Sequence, residues 1–147
     1  MSRSIVVLSG SPRKDGNTVR LTEAFIDGAQ ATGKEIALFS VAGLRIGGCR
    51  GCGHCFKHQG VCIQTDDMPP ILDALRKADV LVLASPVYFF SVTAQIKLAI
   101  DRFFALLEVG TPVKRAALLM TCGDAKKAAA EPAVSMFRQI CACQSST

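Results

Sequence analysis

Four short runs of branched and apolar residues recur along the 147 residues: SIVVLS (Ser4–Ser9), EIALFSV (Glu35–Val41), DVLVLAS (Asp79–Ser85) and RAALLMT (Arg115–Thr121). They lack the alternation of a half-exposed strand and read as strands covered on both faces. The segments between them have helical periods. Thr18–Thr32 sets Leu21, Phe25, Ile26 and Ala29 on one side and ends at Gly33; Ser91–Glu108 aligns Val92, Ile96, Ile100, Phe103 and Leu107 in a stripe. Asp66 and Asp67 can cap a third helix that tolerates Pro69 and Pro70 in its first turn and turns Ile71, Leu72 and Leu75 inward. A weaker helical pattern covers Ala128–Cys141. Strands alternating with helices imply right-handed crossovers, hence one α/β domain with a parallel sheet between two helical layers. Ligands of such sheets bind at the carboxyl ends of the strands, so the loops there are the candidate site.

The loop after the first strand is GSPRKDGNT. Asn17 follows Gly16 where a Walker loop requires lysine, and the glycines lack dinucleotide spacing. Its small donors Ser9, Ser11, Asn17 and Thr18, the cation Arg13 and a helix start suit a terminal phosphate monoester. An ordinary turn with an N-cap uses the same residues. The loop after the third strand is SPVYFFSV, where Pro86 stops the strand and Tyr88, Phe89 and Phe90 follow. Three consecutive aromatics cannot all enter one core, so one is expected to line a cleft and one phenylalanine to be core beneath the next helix.

Cys49, Cys52, Cys55 and Cys62 form C-x2-C-x2-C-x6-C within GGCRGCGHCFKHQGVC. Such spacing can wrap an iron–sulfur cubane, one thiolate per iron, while zinc more often uses separated hooks, here with His54 or His58 as further ligands. A thiol loop without metal is the third reading. Cys122, after the fourth strand, either sits beside a ligand bound at that edge or is a small cysteine buried at a strand end, and Cys141 and Cys143 are expected to be packed or simply exposed. No apolar run is long enough to span a membrane, and the polar loop after the first strand is unlike a signal peptide. The expected compartment is therefore the cytoplasm, where thiols stay reduced. A net charge of +5 spread thinly, without basic–aromatic interleaving, argues against a nucleic-acid surface.

The pieces SGSPRKDGNT, CRGCGHCFKHQGVCIQTDDM and SPVYFFSVTAQIKLAIDR, in this order, resemble the NADPH-dependent FMN reductase and iron–sulfur flavoprotein group of the flavodoxin-like superfamily. The resemblance implies a flavodoxin-like three-layer sandwich and FMN as cofactor. It implies that Ser9, Ser11, Arg13, Asn17 and Thr18 hold the phosphate, and that Ser85, Pro86, Val87, Tyr88 and Phe89 flank the isoalloxazine. The turn of Thr121, Gly123 and Asp124 looks like a third flavin-side loop. The leading function is an NAD(P)H-dependent reductase of a small redox substrate such as a flavin or quinone, in a homodimer or homotetramer. The alternative is an electron carrier in which Cys49, Cys52, Cys55 and Cys62 hold a [4Fe–4S] cluster fed by a ferredoxin-like donor. A flavin-free metal or thiol sensor is a third reading. A flavodoxin-like sheet has a fifth strand, and residues 122–147 offer only a helix and a polar tail. The expected strand order is thus 2-1-3-4, in a chain shorter than its relatives at the C-terminus or with its edge covered by another subunit.

Overall fold

The computed structural model describes residues 4–144. Strands β1 (Ser4–Ser9), β2 (Glu35–Ser40), β3 (Val80–Pro86) and β4 (Arg115–Thr121) form one parallel sheet in the order β2-β1-β3-β4. The order reverses between β1 and β3, so the right-handed crossovers put α1 (Asn17–Gln30) on one face and α3 (Pro69–Leu75) and α4 (Ala94–Arg102) on the other. A one-turn helix α2 (His54–Lys57) lies within the cysteine loop, and α5 (Glu131–Gln144) follows β4.

Val6, Leu8, Leu81 and Leu83 point to the larger core, where Met68, Ile71, Leu72, Leu75, Ile96, Ala99 and Phe103 meet them. Ala133 joins this core from α5, so α3, α4 and α5 share one layer. Ile5, Val7 and Val82 point the other way and are covered by Phe25, Ile26 and Ala29 of α1. The two-sided burial expected of all four strands holds for β1 and β3 only. β2 and β4 are the sheet edges and stay partly exposed, because nothing pairs with their outer sides among the described residues.

Several local expectations are corrected. Leu21 is exposed, since α1 is alone on its face and only part of its circumference meets the sheet. The long helix expected over 91–108 is α-helical only for Ala94–Arg102 and tightens to a 3-10 turn at Phe103–Leu106. Thr93 is its N-cap, accepting from the Ile96 N–H at 3.5 Å. The last helix is displaced to Glu131–Gln144. Met68, not an aspartate, stands at the N-cap of α3; the Asp66 carboxylate accepts from the Met68 N–H at 3.1 Å and turns inward instead.

Candidate functional site

Three loops leave the carboxyl ends of β1, β3 and β4 and enclose a cleft of about 300 Å³. Ser11, Arg13, Asn17 and Thr18 line it from the first loop, Pro86, Val87 and Tyr88 from the second, and Thr121 and Gly123 from the third. α1 begins at this cleft with Gly16 as N-cap, no side-chain cap and no acidic residue in its first turn. Its first N–H groups are therefore without an internal acceptor, at the positive end of the helix dipole. Arg13 adds a cation that makes no ion pair among the described residues. The Ser11 hydroxyl folds the loop back on itself, accepting from the Arg13 N–H at 3.3 Å and donating to the Arg13 carbonyl at 3.1 Å.

Thr18 is buried, and its hydroxyl lies 2.6 Å from that of Thr121, tying α1 to the end of β4. One of the two hydroxyl protons is taken up between them, which leaves one without a place in this bond.

Four predicted residues do not line the cleft. Ser9 is buried within β1. Ser85 is buried with its hydroxyl donating to the Pro86 carbonyl (2.9 Å) and accepting from the Thr93 N–H (3.0 Å). The Asp124 carboxylate accepts from the Lys126 N–H at 2.8 Å. Phe89 is 95 % exposed. Ser85 and Thr93 instead join the loops to α4, for the Thr93 hydroxyl donates to the Gly10 carbonyl at 2.8 Å.

The aromatic loop closes on a tight turn in which Tyr88 and Ser91 exchange both backbone hydrogen bonds, at 2.9 and 3.1 Å. Its two central residues, Phe89 (φ 46°) and Phe90 (φ 69°), both adopt the left-handed region. For residues with a Cβ this costs about 1–2 kcal/mol each. Neither phenylalanine is core, which corrects the expectation that one would pack beneath α4. The strained turn carries both outward and leaves Tyr88 at the cleft. Gly16 and Cys122 also line it. Gly16 could have been found as the helix start, where a Cβ would press the Arg13 Cβ at 3.2 Å; of the two readings of Cys122, its place at the cleft holds, and it is exposed, not buried.

The cysteine loop leaves the same end of the sheet after β2 and is closed at its neck. Arg45 and Asp67 exchange hydrogen bonds (Arg45 N–H to Asp67 Oδ2 at 2.7 Å, Asp67 N–H to the Arg45 carbonyl at 3.0 Å). The Gly47 N–H donates to Asp66 (3.0 Å) and the Gln64 amide to the Gly48 carbonyl (3.1 Å). Beneath the neck lies Arg102 of α4, with its side chain 1 % exposed. Its Nη1 donates to Asp66 Oδ2 at 2.6 Å and to the Gly47 carbonyl at 2.9 Å, and Nη2 donates to Asp66 Oδ1 at 3.3 Å. Burial pushes the Asp66 pKa up, but Arg102 and the Gly47 and Met68 N–H groups outweigh it, so the carboxyl is held below its usual value.

Within the loop Cys55 is buried, Cys62 half-buried, and Cys49 and Cys52 exposed. Among the described residues no three Cys, His, Asp or Glu side chains converge as a metal group. The donor chemistry nevertheless fits an iron–sulfur cluster, since four thiols sit on one closed loop over a buried cation with an unpartnered donor, Arg102 Nε. Cys49 and Cys52 lie on backbone without regular structure, with Gly51 and Gly53 at positive φ, where rearrangement is least opposed. His54 and His58 stack on each other at 3.7 Å, and the His58 Nδ1 lies 2.8 Å from the His54 carbonyl.

No described helix is long and apolar enough to cross a membrane. A family model described as NADPH-dependent FMN reductase matches residues 3–145. An iron–sulfur flavoprotein of Archaeoglobus fulgidus is 39 % identical over 66 % of this chain and 44 % of its own. One of Methanocaldococcus jannaschii is 39 % identical over 67 % of this chain and 50 % of its own. The chain thus spans about half the length of the curated relatives it matches. In fold it is similar to an NAD(P)H:quinone oxidoreductase from Methanothermobacter marburgensis, with a TM-score of 0.76 at 18 % identity, covering 94 % of this chain and 75 % of that one.

Proposed function

The chain belongs to the NADPH-dependent FMN reductase family, and from that premise we propose that it is an FMN-dependent oxidoreductase of small redox substrates, with NAD(P)H as reductant. The observation that carries this reading is the cleft where the uncapped start of α1 and the unpaired Arg13 face the same space as Tyr88. An anionic phosphate fits the first two, and the side of a flat, largely apolar ring fits the third. Arg13, Asn17 and the α1 N–H groups would hold the phosphate, with the remaining Thr18–Thr121 proton directed at it. Pro86, Val87 and Tyr88 would flank the ring. When bound, FMN supplies the hydride and electron chemistry; the chain's residues bind, orient and tune it. Among the described residues of the cleft, none is assigned as an obligatory acid or base.

FMN and riboflavin, which differ by the phosphate, test this directly. FMN is expected to bind more tightly, and Arg13→Ala to weaken FMN by roughly 10–150-fold, the loss of one charge-assisted hydrogen bond, while leaving riboflavin unchanged. Equal affinity for both flavins in the unmodified protein refutes the phosphate assignment.

The second reading, favoured by the closed four-cysteine loop and by the names of the relatives, is that Cys49, Cys52, Cys55 and Cys62 hold a [4Fe–4S] cluster passing electrons between a ferredoxin-like donor and FMN. Iron, sulfide and flavin assayed on protein purified without oxygen test it. About four iron per chain supports the cluster, and flavin without iron or sulfide, even after anaerobic reconstitution, refutes it. A cytoplasmic setting and a homo-oligomer covering the β4 edge accord with both readings.

A further inference from the structure

Arg102 is the most deeply buried charge in the described structure, and the flavin cleft does not use it. Two of its three nitrogens have partners. Nη1 and Nη2 bind Asp66 and the Gly47 carbonyl, one on each arm of the cysteine loop. The third, Nε, is buried and makes no hydrogen bond. An orphaned donor of this kind costs on the order of 1–3 kcal/mol, more when it carries charge, and native interiors rarely leave one unexplained. What lies beside the group is Cys62. Cys62 and Asp66 are the two side chains in reach of the guanidinium. Cys62 is also the one cysteine of the four that follows α2 and leads directly into Asp66, the residue Arg102 grips.

We propose that Arg102 is a positioning residue for the cysteine loop, whose Nε–H donates to the Cys62 sulfur when that sulfur is a cluster ligand. The inference rests on the cluster reading above. The two roles of the guanidinium are separable. Its Nη edge closes the neck between Gly47 and Asp66, which fixes where the arms bearing Cys49 and Cys62 start. Its Nε edge supplies a hydrogen bond to one ligand sulfur from a buried cation. Donors to ligand sulfurs and buried positive charge both favour the more negatively charged, reduced cluster and so raise its potential. Because Arg102 ends α4 and Thr93 begins it, one helix carries the contacts to both the flavin loops and the cysteine loop.

Two variants separate donation from mere support of the fold. Arg102→Lys keeps a cation opposite Asp66 but places a methylene carbon where the Nε–H donor stands. The double variant Arg102→Gln with Asp66→Asn removes both charges together, so neither is left buried and alone. Each is reconstituted anaerobically with iron and sulfide alongside the unmodified protein. Cluster midpoint potential, iron loss to a chelator and FMN affinity are read on the same samples. Both variants are expected to shift the cluster potential to more negative values and to lose iron faster, with FMN affinity retained. Unchanged potential and iron retention in both variants overturn the inference and leave the cluster reading standing. Failure of the unmodified protein to take up iron and sulfide overturns the cluster reading and this inference together, without touching the flavin assignment.

Discussion

Gly10 sits where β1 hands over to the phosphate loop, and the packing there leaves no room for a side chain. Its N–H continues the ladder to the Ala84 carbonyl at 2.8 Å, so the backbone is pinned to β3. A Cβ at this position would lie 2.7 Å from both the Ile96 Cβ and the Thr93 Oγ1, and 3.2 Å from the Ile96 Cγ2. Ile96 is fully buried, and its Cβ is fixed by the α4 backbone, so no rotamer change relieves the contact. Gly10→Ala must therefore push α4 from the loop and strain the Thr93–Gly10 hydrogen bond of 2.8 Å. Overpacking of this kind costs about 1–3 kcal/mol, and the reduced freedom of the unfolded chain returns only about 0.4–1 kcal/mol. With an unfolding entropy of about 0.3 kcal/mol per kelvin for a chain of this size, a net loss of about 1–2 kcal/mol lowers Tm by roughly 3–6 °C. Circular-dichroism melts of apo and FMN-loaded protein measure this, and FMN affinity is expected to fall as the loop after β1 is displaced. A variant melting within about 1 °C of the unmodified protein would show that the loop and α4 are not in the contact described.

Asp66→Asn leaves the Arg102 cation buried and unpaired, an expected loss of about 3–5 kcal/mol near neutrality, read by urea unfolding. The Asp66 pKa is lowered in the folded state, so its contribution is complete above the unfolded carboxylate pKa and is lost as pH falls through the folded value. The unmodified protein should thus lose stability below about pH 4 and the variant lose less over that range; parallel acid limbs would count against the pairing. Phe90→Gly removes a left-handed Cβ at little cost in burial, since Phe90 is 55 % exposed. The strain of about 1–2 kcal/mol exceeds the extra unfolded-state freedom of glycine, about 0.5–1 kcal/mol, so Tm should rise slightly, and a clear fall would refute the strain.

What the sequence alone determined was whatever rests on local pattern. SIVVLS, EIALFS, DVLVLAS and RAALLMT are apolar at their inner positions and become strands, while the sheet order decided which two are central. The turn chemistry of GSPRKDGNT placed a helix start at a strand end, and that is enough to put Ser11, Arg13 and Asn17 at one edge of the sheet. Four cysteines within fourteen residues stay close wherever the loop goes. Tertiary structure decided which polar groups meet. Arg102 finds Asp66 across 36 residues and Thr18 finds Thr121 across 103, and neither pair has a periodicity that would announce it. The same holds for Phe89 and Phe90, whose apolar character argued for burial until the Tyr88–Ser91 turn fixed their backbone at positive φ and turned them outward. Hydrophobic periodicity is a property of neighbouring residues, legible one element at a time. The partner of a buried charge is set by how whole elements pack, because only packing brings distant donors and acceptors into the same dry space.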